Sequence, residues 1–273
     1  MTKTGFSPYE RDRLARLFAE ISSAAGVAVM DVYATDFAAR TKADASPVSD
    51  ADERAEEIIL ARLARDLPGV PVLAEEMAAR DGVGLGRGRA FILVDPVDGT
   101  KEFIRRNGAF TVNIALIDDG LPVAGCVFAP ARKEMYFGGA TAHGVDGFEA
   151  GGVIEAGAGR VLATRAYPTD GLTAVTSSSH LDPNTRDFLT RHGIQKQTAI
   201  GSSLKFCLLA RGEADVYPRW GPTMEWDTAA GQAVLEAAGG IVTTALGARF
   251  RYGKSEEGFT NGPFIAWGRD PLP

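Results

Sequence analysis

Asp95-Pro96-Val97-Asp98-Gly99-Thr100 follows directly on the apolar run Phe91-Ile92-Leu93-Val94. Four apolar residues stopped by Asp-Pro read as a buried strand, and proline with glycine then turns the chain. The expected turn aims Asp95 and Asp98 outward, beside the hydroxyl of Thr100. Two carboxylates so close repel each other unless a cation lies between them, and hard oxygen ligands suit Mg²⁺ better than zinc. Two such ions about 3.5–4 Å apart would clamp the attacking and leaving oxygens of a phosphoryl transfer. An isolated D-P-x-D reads more readily as a turn in which Asp caps a helix, so the metal reading needs more acids.

More acids are present in distant segments. Pro71-Val72-Leu73-Ala74-Glu75-Glu76 is a second short apolar run ending in acid, which sets Glu75 at a strand end beside Asp95. Trp226-Asp227-Thr228-Ala229-Ala230-Gly231 opens a helix-forming stretch to Ala238, stopped by Gly239 and Gly240. Asp227 then lies at a helix N-terminus, where simple capping and metal ligation are both open.

The rest of the chain alternates helix and strand. Ser7-Pro8-Tyr9-Glu10 reads as a capping box with proline at the first helical position, followed by Leu14, Leu17, Phe18, Ile21 and Ala25 at helical spacing. A second amphipathic helix is expected from Ala51 to Asp66, and a polar loop from Ala38 to Asp50. Thr111–Ile117 and Val123–Phe128 flank Asp118-Asp119-Gly120, a hairpin signal, and Glu134–Phe137 adds a strand. Glycine-rich, weakly patterned sequence from Gly138 to Gly159 suggests a boundary between domains 1–145 and 146–273. Beyond it come strands at Leu172–Thr176, Lys196–Ile200 and Ala214–Tyr217, with helices at Pro183–His192, Ser202–Ala210 and Trp226–Ala238. That alternation suggests a sheet covered by helices.

The 273 residues, 45% hydrophobic, suffice for one large core or two modest domains. A formal charge of −6 argues against nonspecific nucleic-acid binding. Cys126 and Cys207 stand among apolar residues and read as buried thiols, neither a disulfide framework nor a zinc site. With a polar Met1–Pro8 and no run long enough to span a membrane, the cytoplasm is the expected location.

The acidic segments together resemble a known family. Glu75-Glu76, Asp95 to Thr100 and Trp226 to Gly231 are similar to the three signatures of the lithium-sensitive, Mg²⁺-dependent phosphatases related to inositol monophosphatase, and the resemblance covers nearly the whole chain. Asp98 to Gly108, Phe110 to Leu116, Gly201 to Cys207 and Asp215 to Arg219 resemble the CysQ type of 3′(2′),5′-bisphosphate nucleotidase, enzymes of sulfur metabolism that convert adenosine 3′,5′-bisphosphate to AMP and phosphate. Ala74 departs from relatives that carry Ser or Gly before the two acids.

The resemblance implies an α+β fold, the layered αβαβα sandwich, with the active site between domains and a homodimer as one assembly. It implies two or three Mg²⁺ ions held by Glu75, Asp95, the carbonyl of Val97, Asp98 and Asp227, with Asp95 bridging. Glu75, Asp52 and Thr100 are the implied catalytic residues, Thr100 orienting the attacking water while Asp52 accepts its hydrogen bond. Gly99, Thr100, His180, Ser202, Lys205, Arg219 and Asp227 are the implied substrate contacts. From position alone Lys205 reads more readily as a solvated helix lysine and His180 as a loop residue. A phosphorylated nucleotide is the expected small-molecule partner. The alternatives are an inositol or sugar monophosphatase, which would share the acids but not Lys101-Glu102-Phe103-Ile104 and the Lys205 block, and a noncatalytic nucleotide sensor on the same fold.

Overall fold

The computed structural model describes residues 5–35, 40–41, 47–48, 50–82, 88–155, 157–177 and 182–272. Helix α1 (Pro8–Tyr33) starts as its sequence signals: the Ser7 hydroxyl accepts the Glu10 N–H at 3.3 Å, and the Glu10 carboxylate accepts the Ser7 N–H at 2.7 Å. A short antiparallel pair, β1 (Arg40–Thr41) and β2 (Pro47–Val48), precedes α2 (Asp50–Asp66). The expected loop from Ala38 to Asp50 otherwise falls mostly outside the described residues.

The first sheet is built in sequence order. It comprises β3 (Val72–Ala74), then, beyond α3 (Glu75–Asp81), β4 (Ala90–Asp98), and, beyond α4 (Thr100–Ile104), β5 (Thr111–Asp118), β6 (Leu121–Ala129), β7 (Glu134–Gly138), β8 (Ala142–Asp146) and β9 (Arg160–Val161). All neighbours are antiparallel except β3 and β4. Asp119 and Gly120, at φ 51° and 71°, make the tight turn between β5 and β6.

The second half supplies β10 (Thr173–Ser177), α5 (Pro183–Arg191), β11 (Lys196–Ile200), α6 (Leu204–Ala210), β12 (Val216–Arg219), β13 (Thr223–Met224), α7 (Trp226–Ala237), β14 (Ile241–Thr244), β15 (Thr260–Asn261) and β16 (Phe264–Trp267). Five of these strands form a sheet in the order β11-β10-β12-β16-β14, and β13 pairs with β15.

Strand alternation sets the layers. Ile92, Val94, Ile114 and Leu116 point to α1 and α2, joining Phe18, Ile21, Ile59 and Leu63 in one core. Their neighbours Phe91, Leu93, Ala115 and Ile117 point the other way, to Leu204 of α6, Val234 of α7, and Val175 and Phe264 of the second sheet. Ala174, Val216, Ile265 and Trp267 cover that sheet's far face beneath Phe188 and Leu189 of α5. The result is the αβαβα sandwich. Close approach matters in its middle layer, because a Cβ on Gly125 would stand 2.8 Å from that of Ala233 on α7.

Three expectations need correction. The strand at 91–94 does not end at Asp95: β4 runs on to Asp98, with a break in register between Asp95 and Asp98. Pro96 has no N–H to give the ladder, so pairing lapses there without the chain turning, and the turn comes at Gly99, with φ 95°. Asp95 is accordingly buried rather than aimed outward. The helix expected from Ser202 begins at Leu204, and Ser202 adopts φ 51°.

Candidate active site

Five acids from four elements meet where the first sheet faces the middle layer. Ala74 pairs with Val94 in the parallel β3–β4 ladder, so Glu75 leaves β3 beside Asp95 and opens α3. The Glu56 carboxylate of α2 accepts the Glu76 N–H at 2.8 Å and fixes that helix start. Asp52 comes from the first turn of α2 and is buried. Asp95, Val97 and Asp98 lie on β4, with Val97 also buried. Asp227 follows one residue inside α7, where its carboxylate accepts the Met224 N–H at 2.8 Å. Thr100 opens α4 behind the left-handed Gly99.

Burial and mutual repulsion act together on this group. Glu75 is pushed up to about 8 by burial first, then by Asp227, Asp52, Glu76 and Asp98. Burial raises Asp227 to about 7, with Asp98 adding to it. Asp95 is raised by burial and then by Glu75, Asp98, Asp227 and Asp52. Burial raises Asp98 as well, against the pull of Lys205 and the donors on its carboxylate. Carboxylates in this condition are stabilised as anions by a cation.

The donor set fits a hard divalent cation. All the side chains are carboxylates, and Asp95 Oδ1 is buried with no hydrogen-bond partner among the described residues. Among the described residues the acids do not close as a ready group of three or more about one point. Asp98 and Asp227 are held by protein donors from the second half of the chain.

Next to the acids is a cavity of about 150 Å³. Asp98, Gly99, Ser202, Lys205, Arg219 and Asp227 all line it, as do Lys101, Ser177 and Tyr217. Arg219 ends β12 and donates to the Gly221 carbonyl at 3.1 Å, which keeps its guanidinium at the wall. Thus acid and cation share one space: Asp98 and Asp227 belong both to the cluster and to the wall bearing Lys205 and Arg219. His180 lies outside the described residues. A larger groove of about 770 Å³ between α2 and α3 is lined by Glu53, Glu56, Glu57 and Glu76 together with Arg80, an excess of acid that disfavours phosphate.

Sequence reasoning passed over three residues that hold this site together. Ser203 and Asn113 both donate to Asp98, and Glu56 holds the start of α3. Asn113 carried a signal, as a polar residue inside an otherwise apolar strand; Ser203 was hidden beside Ser202.

The sequence pattern of the inositol monophosphatase family matches residues 10–266. The chain belongs to the inositol monophosphatase family. Within the family it is 44% identical over 247 residues to the 3′(2′),5′-bisphosphate nucleotidase CysQ of Salmonella typhimurium, covering 90% of this chain and 96% of that one. The crystal structure of CysQ from Bacteroides thetaiotaomicron, described as a bacterial member of the family, superposes with a TM-score of 0.79 at 37% identity over 97% of this chain and all of that one. An inositol monophosphatase from Zymomonas mobilis gives a TM-score of 0.75 at 26% identity, covering 97% of this chain and 95% of that one.

Proposed function

We propose that the protein is a Mg²⁺-dependent 3′(2′),5′-bisphosphate nucleotidase that hydrolyses the 3′-phosphate of adenosine 3′,5′-bisphosphate to AMP and phosphate. The observation that carries this reading is the shared wall: Asp98 and Asp227 of the acid cluster line the same cavity as Lys205 and Arg219. A substrate with two phosphates uses both halves, one phosphate at the acids and the other at the cations. The relatives named CysQ support the same reading.

Glu75, Asp95, the Val97 carbonyl, Asp98 and Asp227 would hold two or three Mg²⁺ ions. When bound, these ions supply charge neutralisation at the phosphoryl oxygens and lower the pKa of water. Thr100 orients the attacking water, and Asp52 and Glu75 take up hydrogen bonds on that side. A threonine hydroxyl is no base at neutral pH, so its part is orientation. Lys205, Arg219, Ser202 and the Gly99 backbone grip the nucleotide, with His180 as a further contact. Water's oxygen bonds to phosphorus as the bond from phosphorus to the ribose 3′ oxygen breaks; the water gives up a proton, and the departing 3′ oxygen takes one up to become the 3′ hydroxyl of AMP.

An inositol or sugar monophosphate would use the acids and leave Lys205 and Arg219 without an anion, which is why that reading ranks second. Among the described residues no helix is long and apolar enough to cross a membrane, and we place the enzyme in the cytoplasm on the strength of its reduced, buried cysteines. Asp98→Asn tests the assignment: it should abolish phosphate release from the bisphosphate while circular dichroism stays unchanged. Wild-type turnover by that variant would remove Asp98 from the centre.

A further inference from the structure

Asp98 is held from two directions at one oxygen. The Ser203 N–H reaches its Oδ2 at 2.6 Å, the Ser203 hydroxyl lies 2.9 Å from it, and Asn113 Nδ2 lies 3.4 Å away. Among the described residues no donor reaches Oδ1. Ser203 Oγ also accepts from Asn113 Nδ2 at 3.0 Å and lies 2.7 Å from the Asp227 carbonyl oxygen. A hydroxyl has one proton, so it serves Asp98 or Asp227 at any moment, and it touches the two acid-bearing elements β4 and α7 at once.

The geometry points to Ser203 as a positioning residue that sets the Asp98 carboxylate for a cation, a role that rests on the metal-site reading above. Ser203 is buried and stands off the cavity wall that Ser202 lines, so it does not touch substrate. Its N–H occupies one oxygen of Asp98, with its hydroxyl beside it, and fixes the plane of the carboxylate, which leaves the other oxygen for coordination. The local backbone is shaped to allow this. Ser202 adopts φ 51°, and Gly201 lets the chain pass so near Glu102 that a Cβ there would lie 2.5 Å from Glu102 Cγ. The same serine ties Asp98 to the first turn of α7, so the two halves of the ligand set keep their spacing through one side chain.

The test is titration of Mn²⁺ by electron paramagnetic resonance on wild type, Ser203→Ala, Asp98→Asn and the double variant. Loss of a hydrogen bond to a ligand's second oxygen should weaken Mn²⁺ binding by about tenfold in Ser203→Ala. In the Asp98→Asn background the same change should alter binding by less than about twofold, since the group it positions has gone. Unfolding in EDTA, followed alongside, separates this from a general loss of stability. Wild-type Mn²⁺ affinity in Ser203→Ala, or an equal loss in the Asp98→Asn background, would overturn the inference while leaving the functional reading intact. No Mn²⁺ binding by the wild type would overturn both. If Ser203→Ala does not fold, Asn113→Ala carries the same expectation at about threefold, from the weaker donor.

Discussion

The Lys205 ammonium lies 5.4 Å from the centre of the Tyr217 ring while donating to the Ser202 carbonyl at 2.7 Å, so a buried cation is held between an aromatic face and a loop that lines the cavity. Burial draws its pKa down to about 8, with Asp98 opposing that pull. Below that value the side chain is charged and attracts an anionic substrate; above it the attraction fades. For the bisphosphate, kcat/KM should therefore fall as pH rises through about 8, and Lys205→Arg should flatten the fall because a guanidinium stays charged. Lys205→Ala should lower kcat/KM by roughly tenfold to a hundredfold, mostly through KM. An unchanged pH profile in Lys205→Arg would remove the lysine from substrate binding.

Metal removal should expose the repulsion within the acid cluster. Glu75 and Asp227 stand at about 8 and about 7 in the fold against ordinary values of 4.5 and 3.8. A raised folded pKa means that the native state binds protons more tightly than the unfolded chain. The associated stability is complete below about 4 and is lost as pH rises through about 7 to about 8. In EDTA the thermal midpoint should fall between about pH 5 and about pH 8.5, and saturating Mg²⁺ should suppress most of that fall. A midpoint in EDTA that holds steady or rises across this range would contradict the account.

Ser202 holds a left-handed backbone with a side chain attached. That conformation costs roughly 1–2 kcal/mol, which glycine avoids while losing more entropy on folding. Ser202→Gly should therefore unfold at equal or higher urea, by up to about 1 kcal/mol, yet raise KM for the bisphosphate through loss of the hydroxyl. Clear destabilisation would mean that the hydroxyl, and not the turn, is what the fold requires there.

The middle layer has its own test. Gly125→Ala puts a Cβ 2.8 Å from that of Ala233 and 3.0 Å from the Ala230 Cα, both on α7. The helix must shift, at about 1–3 kcal/mol, measurable as a lower urea midpoint. Gly262→Ala meets nothing within 4 Å and should stay within about 0.5 kcal/mol of wild type. Equal effects at the two sites would deny that α7 rests directly on β6.

Much of the fold is legible in the sequence. The first capping box, the Asp119-Gly120 hairpin and the start of α7 are local signals, and each element stands where its residues put it. The register break at Pro96 was not legible, because the same proline that suggests a turn is tolerated in a strand once its missing N–H falls at a lapse in pairing. No local signal joins strands β14 and β16 to a sheet, and only the pairing of β16 with β12 and of β14 with β16 makes them part of it. The acids themselves were legible as residue types. Their support was not: Ser203 and Asp98 lie 105 residues apart in sequence, and nothing short of the folded chain brings that hydroxyl to that carboxylate.

An acid cluster facing a cationic wall suits a substrate that bears two phosphates, and this pairing carries the proposed activity. It is tested most directly by phosphate release in Mg²⁺ from adenosine 3′,5′-bisphosphate, beside inositol 1-phosphate and fructose 1,6-bisphosphate, with EDTA controls. The account predicts release that EDTA abolishes and a strong preference for the nucleotide. Preference for inositol 1-phosphate, or no metal-dependent release from any of the three, would contradict it.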